Sequence, residues 1–549
     1  MYKSFELFDS DSLKDFHKRI FFSMIVFLFV YFVAIYRIVE IMLFTSKNEN
    51  IVYIENFKER GNIYDRNGNL LATSIISKSL SVNPYDIKKK KDLAKKLSNI
   101  LNIKEDFLFE KLCKNKKFVW VKRNINPKEH QKIIDLGEIN LRIHNERKRI
   151  YPYSNLTSHS VGYVNIDGIG QSGVERSLNK QLSQSKDVYL TLDVNLQYAV
   201  REELMKSLKH FKAESGIAII LDIEEGDIIT SVSLPDFDPN NKLTFDDQNL
   251  INRVIQSNYE MGSTFKPLTV VMGFDKDLIS PEMTFDITDK IKGIGDFKKY
   301  EGNGIYNVEK IITHSSNIGA AQIAAIVGKK NQKEFFEKIG FLKKINIEIL
   351  EAAEPLGNKN NWGETETMTI GFGHGFAITP LHLVKAYGSI ANKGYEVNPS
   401  IILGTKNKLG KQLLLKENTS DYFLELLSAV VNKTKITGPK IKLEGYDIGG
   451  KTGTSELINN KQGSYYKDRN LTSFISVFPI NEPKYVVLTM LEYPKQINEI
   501  SSTGANVNAP LSKKIILRMI EVLKIPMNFS DEILNADIKH LYKYKNVTF

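Results

Sequence analysis

Residues 20–36 read IFFSMIVFLFVYFVAIY without a charge, and the run stays apolar to residue 44 with only Arg37 and Glu40 interrupting. A segment apolar on every face predicts a membrane-crossing helix, because about 20 residues at ~1.5 Å each span a ~30 Å hydrocarbon layer. Lys14, Lys18 and Arg19 precede it, which places the N-terminus in the cytoplasm and the bulk of the chain outside. The following TSKNEN is a poor signal-peptidase site, so the pattern predicts an uncleaved anchor over 20–44 behind a cytoplasmic tail, 1–19. Arg37 and Glu40 are spaced to snorkel or to pair one turn apart.

The pattern then changes twice. Residues 51–186 are charged and irregular, with short strand-like runs (SKSLSVNP, KFVWVKR) and a Lys-rich helical stretch at 86–101, whose lysines at 88–91 read as a solvated helix start. From Asp187, VYLTLDVNLQYAVREELMKSLKHF reads as a strand feeding an amphipathic helix, and SGIAIILDIEEGDIITSVSL as two strands joined by a Glu-Gly turn. The expected architecture is α+β: a single transmembrane helix, an elongated region over 45–186, and a domain over 187–525 with an antiparallel sheet flanked by helices. Residues 526–549 have little periodicity and read as a C-terminal tail.

Composition narrows the function. At 549 residues, with 42% hydrophobic and 25% charged, the chain is globular and too long for one small binding module. Lys plus Arg exceed Asp plus Glu by 75 to 64, a net +11 that invites anionic partners. With most of the chain outside the membrane, nucleic acid is not expected among them. The lone Cys113 excludes an intramolecular disulfide and multi-Cys zinc sites, and no His-Glu-x-x-His is present. Cys113 reads as a small buried hydrophobe. Residues 168–173, GIGQSG, fit the dinucleotide fingerprint by letter, but no βαβ unit surrounds them.

Three short motifs carry chemistry. Ser263-Thr264-Phe265-Lys266 precedes an apolar run, LTVVMGF, that reads as the start of a buried helix. Serine and lysine three apart on a helix share a face, and the N-terminal partial charge favours an alkoxide at Ser263. Alone, Ser-x-x-Lys is too common to mean anything. It is followed, in order, by Ser315-Ser316-Asn317 before an alanine-rich helix, and by Lys451-Thr452-Gly453-Thr454 after the strand-like GYDIGG.

This ordered set resembles the signature of penicillin-binding proteins and class A β-lactamases. The likeness extends through roughly residues 15–515 to the class B penicillin-binding proteins. Arg60-Gly61-Asn62-Ile63-Tyr64-Asp65-Arg66 is similar to that family's first pedestal motif, and Arg149 through Pro152, His159, Gly162-Tyr163 and Gly173-Val174-Glu175 resemble later ones. LPDFDPNN, Asn252-Arg253, GFGHGFAITPLHL and Phe478-Pro479 resemble segments of its transpeptidase domain. Met261 replaces the family's usual proline, and 503–510 match a Gly-rich stretch only loosely; neither departure is expected to touch a group that does chemistry. SSNIGAAQIA is more similar to the division-specific type than to the elongation type.

The resemblance implies acyl transfer in two steps from D-Ala-D-Ala stem peptides of peptidoglycan, inhibited by β-lactams and requiring no metal or organic cofactor. Ser263 is then the nucleophile. Lys266 must be neutral to take its proton, although a lysine of pKa ~10.4 is neutral only about once in 2,500 molecules at pH 7. Burial and the charge of Lys451 are expected to lower that pKa. Ser315 would relay the proton to the leaving amine, and Asn317 would orient Lys266 and hold substrate backbone; which group is the true base stays open. The amides of Ser263 and Thr454 would form the oxyanion hole, and Lys451, Thr452 and Thr454 would grip the terminal carboxylate. Gly453 would leave clearance for substrate at the strand edge. Residues 45–186, with Arg60, Gly61, Asp65 and Arg66, would be a non-catalytic pedestal engaging division proteins. The anchor would recruit a membrane-embedded glycosyltransferase supplying lipid-linked glycan strands, in a bacterial inner membrane with the catalytic domain periplasmic. An elongation-specific transpeptidase, an inactive scaffold and a β-lactam hydrolase remain as alternatives.

Overall fold

In the computed structural model, the described residues are 10–44, 59–296, 301–357, 362–404, 409–459, 464–497 and 501–527. The first part of the expected N-terminal tail, and the C-terminal tail beyond Met527, lie outside the described residues.

The apolar run forms helix α1, Ser10–Phe44. Its stretch Lys14–Glu40 is 27 residues long, about 40 Å at ~1.5 Å per residue and sufficient to cross a membrane. Arg37 and Glu40 pair at 3.2 Å as their spacing requires. Helix α1 and residues 60–549 are separate compact units.

The second unit begins with a five-stranded sheet. Strand β1, Ile63–Tyr64, pairs antiparallel with β2, Leu70–Val82. Helices α2, Lys90–Leu101, and α3, Glu105–Leu112, follow. Then come β3, Val119–Ile125, α4, Pro127–Asp135, and β4, Leu141–Ile150. Strands β3 and β4 both pair with β2, opposite Val82 at Val119 and Leu141. Leu80, Leu93, Leu97, Leu108 and Val121 form a small core belonging to this lobe. Cys113 departs from the sequence expectation by being exposed. It caps the C-terminus of α3, where Leu108 and Leu112, one turn apart, take the buried positions.

Strand β5, Val188–Tyr189, pairs in parallel with β1. The textural change at residue 187 is therefore a seam within one sheet, and Ile63, Leu71, Val188 and Ile219 share a hydrophobic cluster. Helix α5, Val194–His210, starts at Asp193, whose side chain accepts from the amides of Asn195 and Leu196. The expected hairpin follows as β6, Ser215–Asp222, and β7, Ile228–Leu234.

The main sheet is completed late in the chain by β8, Gly449–Asn459, β9, Ser464–Phe478, and β10, Tyr485–Glu492. Its order is β8-β9-β10-β6-β7, antiparallel throughout. Both faces are covered, so the strands are nearly continuous apolar runs. Ile217, Ile219 and Leu221 point into one cluster, while Ala218 and Ile220 point into another with α5 and the final helix. Strand β8 stays at the edge, with one side unpaired within the sheet.

Candidate active site

Four elements meet beside that edge. Gly262–Phe265 form a 3-10 turn that runs directly into helix α6, Lys266–Asp275. Ser263 thus sits in the turn before the helix and not in its first α-helical turn as expected. In 3-10 geometry residues three apart eclipse, so Ser263 and Lys266 still share a side. Gly262 opens the turn at φ +55°, and a Cβ there would meet Thr454 O at 3.0 Å. That contact brings the backbone of the turn against β8. Gly373, from the GFGHG segment, packs on the other side: a Cβ there would come within 2.2 Å of Gly262 O. The two glycines are also joined by a hydrogen bond, Gly262 N to Gly373 O, 3.1 Å.

The second motif lies between α7, Val308–His314, and α8, Asn317–Ile339. Ser315 ends α7 in the left-handed region, φ 59° and ψ 43°, a conformation uncommon for a non-glycine residue. That geometry presents both its oxygens to one lysine: Lys266 Nζ donates to Ser315 O at 2.5 Å and lies 3.1 Å from Ser315 Oγ. Lys451 Nζ approaches the same hydroxyl at 3.1 Å and also donates to Thr452 O at 3.1 Å. The two lysines are 0% and 1% exposed. Burial, then the charge of Lys451, pushes Lys266 far below the usual lysine range, and Asp296 opposes this. Burial alone brings Lys451 down to about 7.

Asn317 departs from its expected role of orienting Lys266. Its Nδ2 donates to Gly295 O at 3.2 Å, while the hydrogen bonds of Lys266 go to Ser315. The residue that sequence reasoning missed is Asp296. Its carboxylate accepts from Ser316 Oγ at 2.7 Å, from Ile318 N at 3.1 Å, and from the Asn317 amide. It thereby ties the motif to the positive end of α8. Nothing in the 19 residues between Asp296 and Ser316 signals this pairing. His374 is a second missed neighbour, held below its usual pKa by burial and then by the charge of Lys266.

Strand β8 splits the third motif by its period of two. Lys451, Gly453 and Ser455 are buried on one face, and Thr452 and Thr454 are half-buried on the other. Lys451 therefore reaches Ser315 and is not part of a three-residue clamp beside the threonines. Gly453 is also explained differently. A Cβ there would lie 2.3 Å from Ser473 Oγ and 3.0 Å from Thr264 Cγ2, so the clearance serves the protein's own packing. The loosely matching segment is not remote from the site either. Helix α9, Gly504–Leu523, begins at Gly504, whose amide donates to Thr454 Oγ1 at 3.2 Å. A Cβ on Gly504 would lie 2.6 Å from Gly453 O.

The pedestal motif lies apart from these groups. Arg60 and Arg149 both bind the fully buried Glu175, with contacts of 2.6 and 2.7 Å. Gly170 and Gly173, within the fingerprint-like GIGQSG, are packing glycines: a Cβ on Gly170 would fall 2.0 Å from Glu175 O. Gly61 lies against Lys186 O, 2.1 Å from where its Cβ would be. Asp65, 0% exposed, accepts from the amides of Asn67, Asn69 and Val194 at 2.8 to 3.1 Å. Arg66 reaches Asp227 at 3.5 Å, at the turn between β6 and β7. Arg60 and Asp65 are internal fasteners, too buried to form a docking face.

Residues 216–517 match the penicillin binding protein transpeptidase domain, and residues 56–202 match the penicillin-binding protein dimerisation domain. The chain belongs to the penicillin-binding protein transpeptidase family. It is 31% identical, over 85% of its length and 82% of the relative's, to a probable peptidoglycan D,D-transpeptidase FtsI of Caulobacter vibrioides. Identity is 28% to the peptidoglycan D,D-transpeptidase FtsI of Buchnera aphidicola subsp. Baizongia pistaciae, covering 85% and 88% of the two chains. It is also 28% to the probable peptidoglycan D,D-transpeptidase PenA of Neisseria gonorrhoeae, covering 85% of each. The fold is shared with a peptidoglycan synthetase from Bifidobacterium adolescentis, at TM-score 0.67 and 21% identity over 86% of this chain and 97% of that one.

Proposed function

We propose that this chain is a membrane-anchored peptidoglycan D,D-transpeptidase that cross-links stem peptides at the division septum through an acyl-enzyme on Ser263. The observation that carries the proposal is the convergence of two buried lysines on Ser315 Oγ, with Lys266 three residues beyond Ser263. Neutral Lys266 takes the Ser263 proton as Oγ attacks the D-Ala-D-Ala carbonyl. Ser315 passes a proton to the departing D-Ala amine, and the amine of a neighbouring stem then resolves the ester. The amides of Ser263 and Thr454 face the developing oxyanion; losing one such donor costs about 10²- to 10³-fold in rate. Thr452 and Thr454 hold the terminal carboxylate on the half-buried face of β8, with the Lys451 charge and the start of α9 adding positive potential. Asn317 holds substrate backbone.

Gel labelling with a fluorescent penicillin tests the chemistry: a covalent band is expected, and its absence favours an inactive scaffold. The septal assignment rests on SSNIGAAQIA and the FtsI relatives. Depletion should give filaments; spheres would instead indicate an elongation enzyme. On this reading the N-terminus is cytoplasmic and residues 45–549 lie outside, with 45–186 as pedestal and 187–525 as transpeptidase domain, as the basic residues before the apolar run favour. A C-terminal alkaline phosphatase fusion is then active in cells, and an inactive one reverses the topology. The anchor is also proposed to pack against a membrane-embedded glycosyltransferase that supplies glycan strands.

A further inference from the structure

Residues 86–149 hold 19 lysines and arginines against nine aspartates and glutamates. This surplus of ten accounts for nearly all of the chain's net +11. The lysines at the start of α2 are ordinary solvated positions, but the turn between α3 and β3 is different. Residues 113–118, CKNKKF, are six consecutive exposed positions with three lysines. Aromatic rings stand among those charges. Tyr85 is 60% exposed and Phe118 46%; the Tyr85 hydroxyl donates to Asn115 Oδ1 within the turn, and Phe118 meets Trp120 edge-on at 4.9 Å. Phe107 is 50% exposed, with Lys111 Nζ 4.9 Å from its ring centre.

The lobe's core closes without Tyr85, Phe107 or Phe118, so the core itself does not require these rings. Leaving several aromatics in water is unfavourable and marks an interaction surface. Rings interspersed with ammonium groups suit the membrane–water interface, where rings sit at headgroup depth and lysines meet phosphates. We propose that this basic, aromatic turn docks on the surface of a bilayer containing anionic phospholipid. Six consecutive exposed residues, three of them lysines, complement a flat anionic surface by charge. A chain already held in a membrane by α1 also meets that surface at high effective concentration, so weak adsorption is enough. The inference rests on the anchor reading and is independent of the Ser263 chemistry.

The test uses the full chain in lipid nanodiscs, with a fluorophore on Cys113, the sole cysteine and exposed in this turn. The discs carry a lipid-borne quencher in either phosphatidylcholine alone or phosphatidylcholine with about a third phosphatidylglycerol. Quenching should be at least roughly two-fold stronger with phosphatidylglycerol and should fade as added salt shortens the screening length. It should be lost in the triple variant Lys114→Glu, Lys116→Glu, Lys117→Glu, while penicillin labelling stays at the wild-type level. Equal quenching in both lipids, or none in either, overturns the proposal. So does hydrogen-exchange protection of 107–118 that appears only with a soluble acidic protein. Should the triple variant misfold, the lipid and salt dependence of the wild-type chain decides alone. Failure of α1 to enter the disc would instead count against the anchor.

Discussion

Lys266 and Lys451 meet at one atom: each Nζ lies 3.1 Å from Ser315 Oγ. A hydroxyl has one hydrogen to donate and two lone pairs. It can accept from one lysine while donating to the other only if the second is neutral. Lys266 is pushed down by burial and by its neighbour, whereas burial alone brings Lys451 to about 7. The added push from its neighbour favours Lys266 as the first to lose a proton, and Ser315 then connects a neutral base to a charged lysine.

The pH dependence of acylation follows from that order. Lys266 must be neutral to accept a proton, so the rate of penicillin acylation rises with pH through its titration. Lys451 supplies charge toward the substrate carboxylate, so the rate falls as pH climbs past about 7 in the free protein. Lys451→Met removes the like charge that lowers Lys266. The residual rate of that variant should lose its alkaline limb, and its acid limb should move to higher pH. Stopped-flow acylation between pH 5 and ~9 checks this; an unmoved acid limb would contradict it.

The same burial costs stability. The folded pKa of Lys451 is depressed to about 7 from 10.5, so the unfolded chain binds more protons between those values. Stability then rises with pH across that window, and the penalty is fully present below it. Lys451→Met should raise the thermal midpoint at pH 7 and below, with a gain on the order of a few kcal/mol. The difference from wild type should shrink toward pH ~10. Calorimetry showing a difference that grows with pH would be the wrong sign.

Gly453→Ala should greatly slow acylation because its Cβ meets Ser473 Oγ at 2.3 Å. Removing that hydroxyl distinguishes internal packing from substrate clearance. The double variant Gly453→Ala, Ser473→Ala should recover part of the acylation rate and of the thermal midpoint. Recovery of the midpoint with no recovery of rate would return Gly453 to the substrate-clearance reading.

Glu175 is 0% exposed between Arg60 and Arg149. Glu175→Ala leaves two nearly buried guanidinium groups without their carboxylate, a loss of about 3 to 5 kcal/mol by analogy with other buried pairs. Thermal denaturation should register it. A docking role would leave the midpoint unchanged.

The anchor, the 215–234 hairpin and the three motifs were legible because each is local: a period, a turn residue or a fixed spacing. What the sequence did not show depends on approach between distant segments. Asp296 reaches Ser316 and Ile318 from some 20 positions earlier in the chain, Gly504 donates to Thr454 from the final helix, and Gly373 fits against Gly262. Strand alternation was available from the spacing alone and would have separated Lys451 from Thr452 and Thr454. The exposure of Cys113 followed from α3, where Leu108 and Leu112 fill the buried side.

The central claim is that Ser263 is acylated. Peptide mass spectrometry of the full chain after reaction with penicillin should find one adduct, on the peptide containing Ser263. Ser263→Ala should show no adduct and an unchanged thermal midpoint. An adduct on any other serine, or one that persists in the folded Ser263→Ala variant, would contradict the account.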